Sequence, residues 1–130
     1  MDVAGKTRID EDLISTERGS TVSTAELVTL TDDNFEQEIE SSTGLAMVDF
    51  WAEWCGPCRL VGPVVAELAA EYAGQMKVGK LDVDSNRVTS QRYGIRSIPS
   101  ILIFKDGELV DQVIGAVPKS HLEQKIQQHV

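Results

Sequence analysis

The sequence predicts a layered α/β domain in which a central mixed five-stranded β-sheet is flanked by four helices. Segments typical of strands alternate with segments of helical period along residues 25–130. LAMVDFW at 45–51 is apolar almost throughout, as in a strand buried on both faces. Near the end, Asp106-Gly107 lies between two apolar runs and predicts a tight hairpin turn. The predicted order is β-α-β-α-β-α-β-β-α, in which helical crossovers imply parallel strands and the hairpin adds an antiparallel edge strand.

The first predicted strand and helix precede that buried strand. ELVTL at 26–30 predicts a short strand. TDDNFEQEIE at 31–40 predicts a helix, because Thr31 can cap it and Phe35 and Ile39 have the i,i+4 spacing of one helix face.

The longest helix is predicted after residue 55. Apolar residues at steps of four run from Leu60 to Tyr72 and form one broad helical stripe. Pro63 lies inside this stripe and predicts a kink, because it removes one backbone hydrogen bond. Gly74 is a suitable residue to end the helix.

The sequence after residue 75 predicts the remaining five elements. MKVGKLDVD at 76–84 predicts a strand, and SNRVTSQRYG at 85–94 predicts a short helix. SILIF at 100–104 and ELVDQVIG at 108–115 form the two strands of the hairpin. PKSHLEQKIQQHV at 118–130 predicts the terminal helix.

Composition narrows the functional classes. The 130 residues suit one domain, and a composition of 42% hydrophobic and 25% charged residues is typical of a soluble globular protein. The formal net charge of -9 argues against nucleic acid and anionic membranes as partners, because both attract basic surfaces. The sequence contains no run of about 18 apolar residues, so it predicts no membrane span.

Residues 1–24 are polar, lack a sustained period and predict a flexible N-terminal extension. A partner-binding arm is the alternative interpretation. The segment has no apolar core of a secretory signal and is too acidic for a transit peptide, so we expect a cytoplasmic protein.

The two cysteines, Cys55 and Cys58, form a Cys-Gly-Pro-Cys where a predicted strand leads into a helix. Backbone N–H groups and the dipole at a helix N-terminus stabilise a thiolate, so the pKa of Cys55 should fall below the free value of about 8.5. A zinc site needs further ligands, and the only histidines, His121 and His129, lie in the terminal helix. Two inert buried cysteines are a poor alternative, because Gly-Pro indicates a turn.

Four segments resemble the thioredoxin family, and the resemblance extends from about residue 25 to the end. They are VDFWAEWCGPC at 48–58, KLDVD at 80–84, YGIRSIPSILIFKDGE at 93–108 and VIGA at 113–116. The resemblance implies the thioredoxin fold and the reduction of protein disulfides through a reversible Cys55–Cys58 disulfide.

The resemblance also implies roles for individual residues. Cys55 is the exposed nucleophile that forms a mixed disulfide with the substrate, and the less exposed Cys58 resolves it. Asp49 lies beneath Cys58 as its proton acceptor and donor, because burial raises the pKa of a carboxyl group. Lys80 is the cationic neighbour of Asp49, although a solvated strand residue is an equal alternative.

A substrate surface around Cys55 follows from the same resemblance. The Ile98-Pro99 bond is expected to be cis and to lie against the cysteines, with the Ile98 backbone pairing with an extended client segment. The flat apolar remainder of this surface would consist of Trp54, Gly56, Pro57, Gly115 and Ala116. We expect Trp54 to be partly exposed and Trp51 to pack in the core.

The family implies no bound cofactor or metal. Its electrons come from NADPH through a separate flavoprotein, thioredoxin reductase, and its other partners are disulfide-containing client proteins; we expect a monomer. Two rival functions stay open from the residues alone. An oxidase or isomerase of the same fold would have a higher reduction potential, and a non-catalytic binding subunit would use only the apolar surface.

Overall fold

The computed structural model describes residues 27–130. The predicted extension at 1–24 lies outside them. Five strands and four helical segments follow in the predicted order within the described part of the chain. The strands are β1 (Leu27–Leu30), β2 (Leu45–Trp51), β3 (Met76–Asp82), β4 (Ser100–Lys105) and β5 (Glu108–Ile114). The helices are α1 (Gly56–Glu71), α2 (Arg87–Arg92) and α3 (Lys119–Gln127), preceded by a π-helical segment at Glu36–Glu40.

The five strands form one mixed sheet in the order β1-β3-β2-β4-β5. β3 pairs in parallel with both β1 and β2, while β4 pairs antiparallel with β2 and β5. The central position of β2 explains its continuous apolar character, because a central strand packs against helices on both faces. The mixed five-stranded sheet with flanking helices is the thioredoxin fold that the sequence predicted.

The direction of β4 differs from the prediction that helical crossovers connect parallel strands. The six residues of α2 span about 9 Å, whereas the seven residues of β3 span about 23 Å. α2 itself therefore does not carry the chain back along the sheet, and the connection from Asp82 to Ser100 stays at the edge where β3 ends. β4 begins at the edge where β2 ends, with Ser100 opposite Phe50, and runs in the reverse direction.

Alternate residues of each strand point to two separate apolar layers. α1 and α3 cover one face, where Met47 and Val78 pack with Val65 and Leu122. The π-helical segment covers the other face, where a second cluster contains Phe35, Ile39, Val48, Phe50 and Phe104, with Tyr93 packed against it. This alternation assigns Asp49, two residues after Met47, to the face beneath α1.

The first predicted helix is shorter than its pattern suggested. Residues Thr31 and Asn34 form a reciprocal turn, with each side chain accepting a hydrogen bond from the other's backbone N–H. Asp32 lies in this turn, before the π-helical segment. Its carboxylate accepts hydrogen bonds from the backbone N–H groups of Val88 and Thr89 at the start of α2, so the residue caps a distant helix.

α1 is continuous from Gly56 to Glu71 although Pro63 lies inside it. Gly74 follows its C-terminal cap with a φ of +84°, which suits a helix end. None of the helices described within 27–130 is long and apolar enough to cross a membrane.

Candidate active site

The junction between β2 and α1 holds the two cysteines at the end of the sheet. Cys55 is the N-cap of α1, with extended backbone angles of φ -89° and ψ 109°. Its Sγ accepts a hydrogen bond of 3.1 Å from the backbone N–H of Cys58. The two residues form a disulfide with a Cα–Cα distance of 5.3 Å. Pro57 in the first turn fits here, because its missing N–H is not needed at a helix start.

Both cysteines are buried in this oxidised state, which corrects the expected difference in exposure. Cys55 is 3% exposed and Cys58 4% exposed. The disulfide packs with Ala52 and against Ile98 in a small apolar cluster. In the disulfide, Cys55 Sγ lies 3.8 Å from the Ile98 carbonyl oxygen. This contact shields the sulfur atom from solvent.

The Ile98-Pro99 peptide bond is cis, as the resemblance implied, and lies beside the disulfide. Pro99 is buried, and its carbonyl oxygen accepts a hydrogen bond of 2.8 Å from the N–H of Gly115. Gly115 has a φ of +99°, a conformation that favours glycine. Ala116 follows it and is exposed.

Trp54 is 69% exposed and lies immediately before Cys55 in the chain. Its indole Nε1 donates a hydrogen bond of 2.8 Å to Asp84 Oδ2, which fixes the ring orientation. Gly56 and Pro57 are also exposed. The residues predicted for a substrate surface therefore include exposed groups at the start of α1 and in the loop after β5, which is joined to Pro99 through Gly115.

Asp49 is 3% exposed and lines a cavity of about 550 Å³ together with Cys58 and Lys80. Its Oδ1 is fully buried and has no hydrogen-bond partner among residues 27–130. Burial raises the pKa of Asp49 to about 7, because the charged form loses its hydration, and the positive charge of Lys80 opposes the rise. A carboxyl group with this pKa can exchange a proton near neutral pH.

Lys80 lies directly opposite Asp49 in the parallel pairing of β2 and β3. Its side chain is half-buried at the cavity, and its Nζ lies 5.1 Å from the centroid of the Trp51 ring. The sequence left open whether Lys80 is the neighbour of Asp49 or a solvated strand residue. The structure favours the first interpretation.

The comparisons with known proteins agree with this geometry. A sequence model of the thioredoxin family matches residues 26–128. "Thioredoxin 2" of Chlorobaculum tepidum is 52% identical over 77% of this chain and 92% of its own length. "Thioredoxin 1" of a Nostoc species is 52% identical, over 78% and 94% respectively. "Thioredoxin" of Staphylococcus saprophyticus is 47% identical, over 80% and 98%.

This chain belongs to the thioredoxin family. It is a thiol–disulfide oxidoreductase that acts on protein disulfides, and the Cys55–Cys58 disulfide lies in the CxxC position of the family.

Two polar contacts of this thioredoxin-family site were not predicted. Asp84 orients Trp54, and Arg59 donates a hydrogen bond of 3.1 Å to the carbonyl oxygen of Glu53 at the cavity. The acidic KLDVD segment was a usable signal for Asp84, since parallel β2 and β3 end at the same edge of the sheet. Sequence alone offers no such signal for the contact of Arg59.

The histidines take no part in this site. His129 Nε2 lies 3.0 Å from Asp111 Oδ2, and His121 is exposed on α3. Within residues 27–130, no group of three or more histidine, cysteine or acidic side chains is arranged to hold a metal ion.

Proposed function

We propose that this protein reduces client disulfides with Cys55 as the nucleophile, Cys58 as the resolving cysteine and Asp49 as the proton acceptor and donor. The observation that carries the proposal is the position of the disulfide. It lies at the N-terminus of α1, and the buried carboxyl group of Asp49 shares a cavity with Cys58.

The first step is attack by the Cys55 thiolate on one sulfur of a client disulfide. A mixed disulfide forms, the client S–S bond breaks, and the second client sulfur leaves as a thiolate that takes up a proton. The backbone N–H of Cys58, directed at Cys55 Sγ, supports the thiolate because it donates to a sulfur anion more strongly than to a thiol.

The second step releases the reduced client. Cys58 transfers its proton to Asp49 and attacks Cys55 Sγ, and the first client sulfur leaves as a thiolate. The client gains two electrons, and the protein regains its Cys55–Cys58 disulfide. When an external reductant reopens the disulfide, Asp49 returns the proton to Cys58. The raised pKa of Asp49 supports both directions, because the carboxyl group is only partly ionised near pH 7.

Client segments bind in extended form along the Ile98 backbone, beside the cis bond to Pro99. This is a short strand addition, and it brings a client disulfide towards Cys55. The apolar surface on either side comprises Trp54, Gly56, Pro57, Gly115 and Ala116. Lys80 acts only through its positive charge, which opposes the rise in the pKa of Asp49.

The partners of this cycle follow from its chemistry. No cofactor is bound for the reaction itself, because a dithiol carries the two electrons. Recharging requires a reductant, for which we propose NADPH through a flavoprotein thioredoxin reductase. The protein acts as a monomer in the cytoplasm, with residues 1–24 as an extension of a catalytic domain at 25–130.

Insulin reduction driven by dithiothreitol tests the two cysteine roles. Cys55→Ser should abolish turnover, because the attacking sulfur is lost. Cys58→Ser should instead accumulate a mixed disulfide with the client, visible by mass spectrometry and released by dithiothreitol. The double variant is the matched control and should capture nothing. Turnover that persists in Cys55→Ser, or capture through Cys58 rather than Cys55, would contradict the assignment.

A further inference from the structure

The Lys80 ammonium lies over an aromatic ring although a carboxyl group is its direct strand neighbour. Lys80 and Asp49 are opposite each other in the β2–β3 pairing. Nevertheless, no ion pair within 4.0 Å joins them in the described part of the chain. Lys80 Nζ is instead 5.1 Å from the centroid of the Trp51 ring, within the distance of a cation–π interaction.

The Lys80 ammonium has two possible positions of similar free energy, one in contact with Asp49 and one over the Trp51 ring. Contact with Asp49 would gain Coulomb energy, but it would move the ammonium out of water and against a carboxyl group that is 3% exposed. Over the ring, the half-exposed Lys80 keeps part of its hydration and gains attraction to the negative face of the indole. The ring therefore decides where the charge lies.

An ion pair would change the chemistry of Asp49. A direct ammonium contact favours the charged carboxylate and lowers the pKa, which would make Asp49 a poor proton donor near neutral pH. We propose that the Trp51 ring is a positioning group that holds the Lys80 ammonium away from Asp49 and leaves this carboxyl group free to exchange the Cys58 proton. Its effect on turnover rests on the proton-transfer role proposed above for Asp49.

Other charged groups near Asp49 do not account for this arrangement. Arg59 and Glu53 line the same cavity from α1 and the loop before it, and Arg59 is bound to the backbone of Glu53. Cys58 faces the cavity from α1, and the partner of Asp49 on β4 is the apolar Ile101. Lys80 is the cation whose position matters for Asp49.

The experiment is a ¹³C NMR titration of the Asp49 carboxyl carbon in the oxidised protein. Trp51→Leu should lower the midpoint by about half a pKa unit or more, because the released ammonium moves onto Asp49. Lys80→Met should raise it, because the opposing charge is gone. Lys77→Met is the matched control: it removes a lysine from the same strand, on the opposite face and bound to Glu38, and should leave the midpoint unchanged. An unchanged or raised midpoint in Trp51→Leu would overturn the proposal.

A double variant separates positioning from simple exclusion of water. If Trp51 acts through Lys80, adding Trp51→Leu to the Lys80→Met background should leave the midpoint where Lys80→Met alone sets it. If the ring only keeps water from Asp49, Trp51→Leu should lower the midpoint by the same amount in the Lys80→Met background as in the wild-type background. That result would show that the positioning role is wrong. Should Trp51→Leu not fold, Trp51→Phe keeps a ring of weaker attraction and should lower the midpoint by less.

The turnover profile distinguishes this inference from the proposed function. The insulin assay of Trp51→Leu should reach its optimum at lower pH than the wild type. If Asp49→Asn leaves the wild-type pH profile unchanged, the proton role of Asp49 fails, yet the titration midpoints still report whether the ring positions Lys80.

Discussion

Burial of the Asp49 carboxyl group raises its pKa and thereby lowers the stability of the folded protein as the pH rises. The folded state retains the proton on Asp49 up to a pKa of about 7, whereas the ordinary value is 3.8. Between these values the folded state binds more protons than the unfolded state, so the free energy of unfolding decreases as pH rises. The loss is complete above pH 7 and amounts to about 4 kcal/mol at 1.36 kcal/mol per pKa unit.

Asp49→Asn tests this cost, because an amide of similar shape does not titrate. The free energy of unfolding of the variant, relative to that of the wild type, should increase by about 4 kcal/mol between pH 4 and pH 8. Urea titrations of the oxidised proteins at several pH values measure it. Asp33→Asn, which removes an exposed aspartate next to the capping residue Asp32, is the matched control for loss of the charge itself. A pH-independent difference in Asp49→Asn would mean that the carboxyl group is ionised at its ordinary pKa.

The residue scale also shows what the sequence could and could not predict. The burial of Asp49 follows from Val48 and Phe50 on either side of it in a core strand. The position of Lys80 does not follow, because the alternation of β3 allows a half-buried or a solvated side chain. The burial of Cys55 was missed because it depends on Ile98, which lies 43 residues further along the chain.

At the scale of elements, the β4–β5 hairpin is held by its turn against the loop before β2. The backbone N–H of Gly44 donates to Asp106 Oδ1, and the N–H of Asp106 donates to the Gly44 carbonyl oxygen. A Cβ on Gly107 would overlap the carbonyl oxygen of Glu40. The sequence predicted the turn from Asp106-Gly107, but a contact with residues so distant in the chain has no local signature. The direction of β4 was missed for a related reason, since no local pattern shows that the connection through α2 stays at one edge of the sheet.

Gly107→Ala and Gly44→Ala form a matched pair that isolates this contact. Their φ angles are +85° and +86°, so both variants carry the same backbone strain of about 1 kcal/mol. Only at Gly107 does the new methyl group meet a neighbour, because nothing lies within 4 Å at Gly44. Gly107→Ala should therefore lose about 2 kcal/mol more in the free energy of unfolding. Equal losses in the two variants would show that the hairpin turn is not packed against Glu40.

At the scale of the whole molecule, residues 26–128 match the family and contain every residue assigned a role here. The order of strands and helices was predictable because each element has its own apolar period. The site was predictable because it lies at the junctions of those elements.

The predicted boundary at residue 25 is testable. Deletion of residues 1–24 should leave the rate of insulin reduction and the free energy of unfolding unchanged; a large loss of either would make the extension part of the catalytic unit.

The reduction potential of the Cys55–Cys58 pair, measured against glutathione buffers at pH 7, tests the account most directly. A protein that reduces client disulfides should have a value of about -270 mV. A value of about -120 mV would assign the same fold and the same two cysteines to disulfide formation, and would contradict the proposed function.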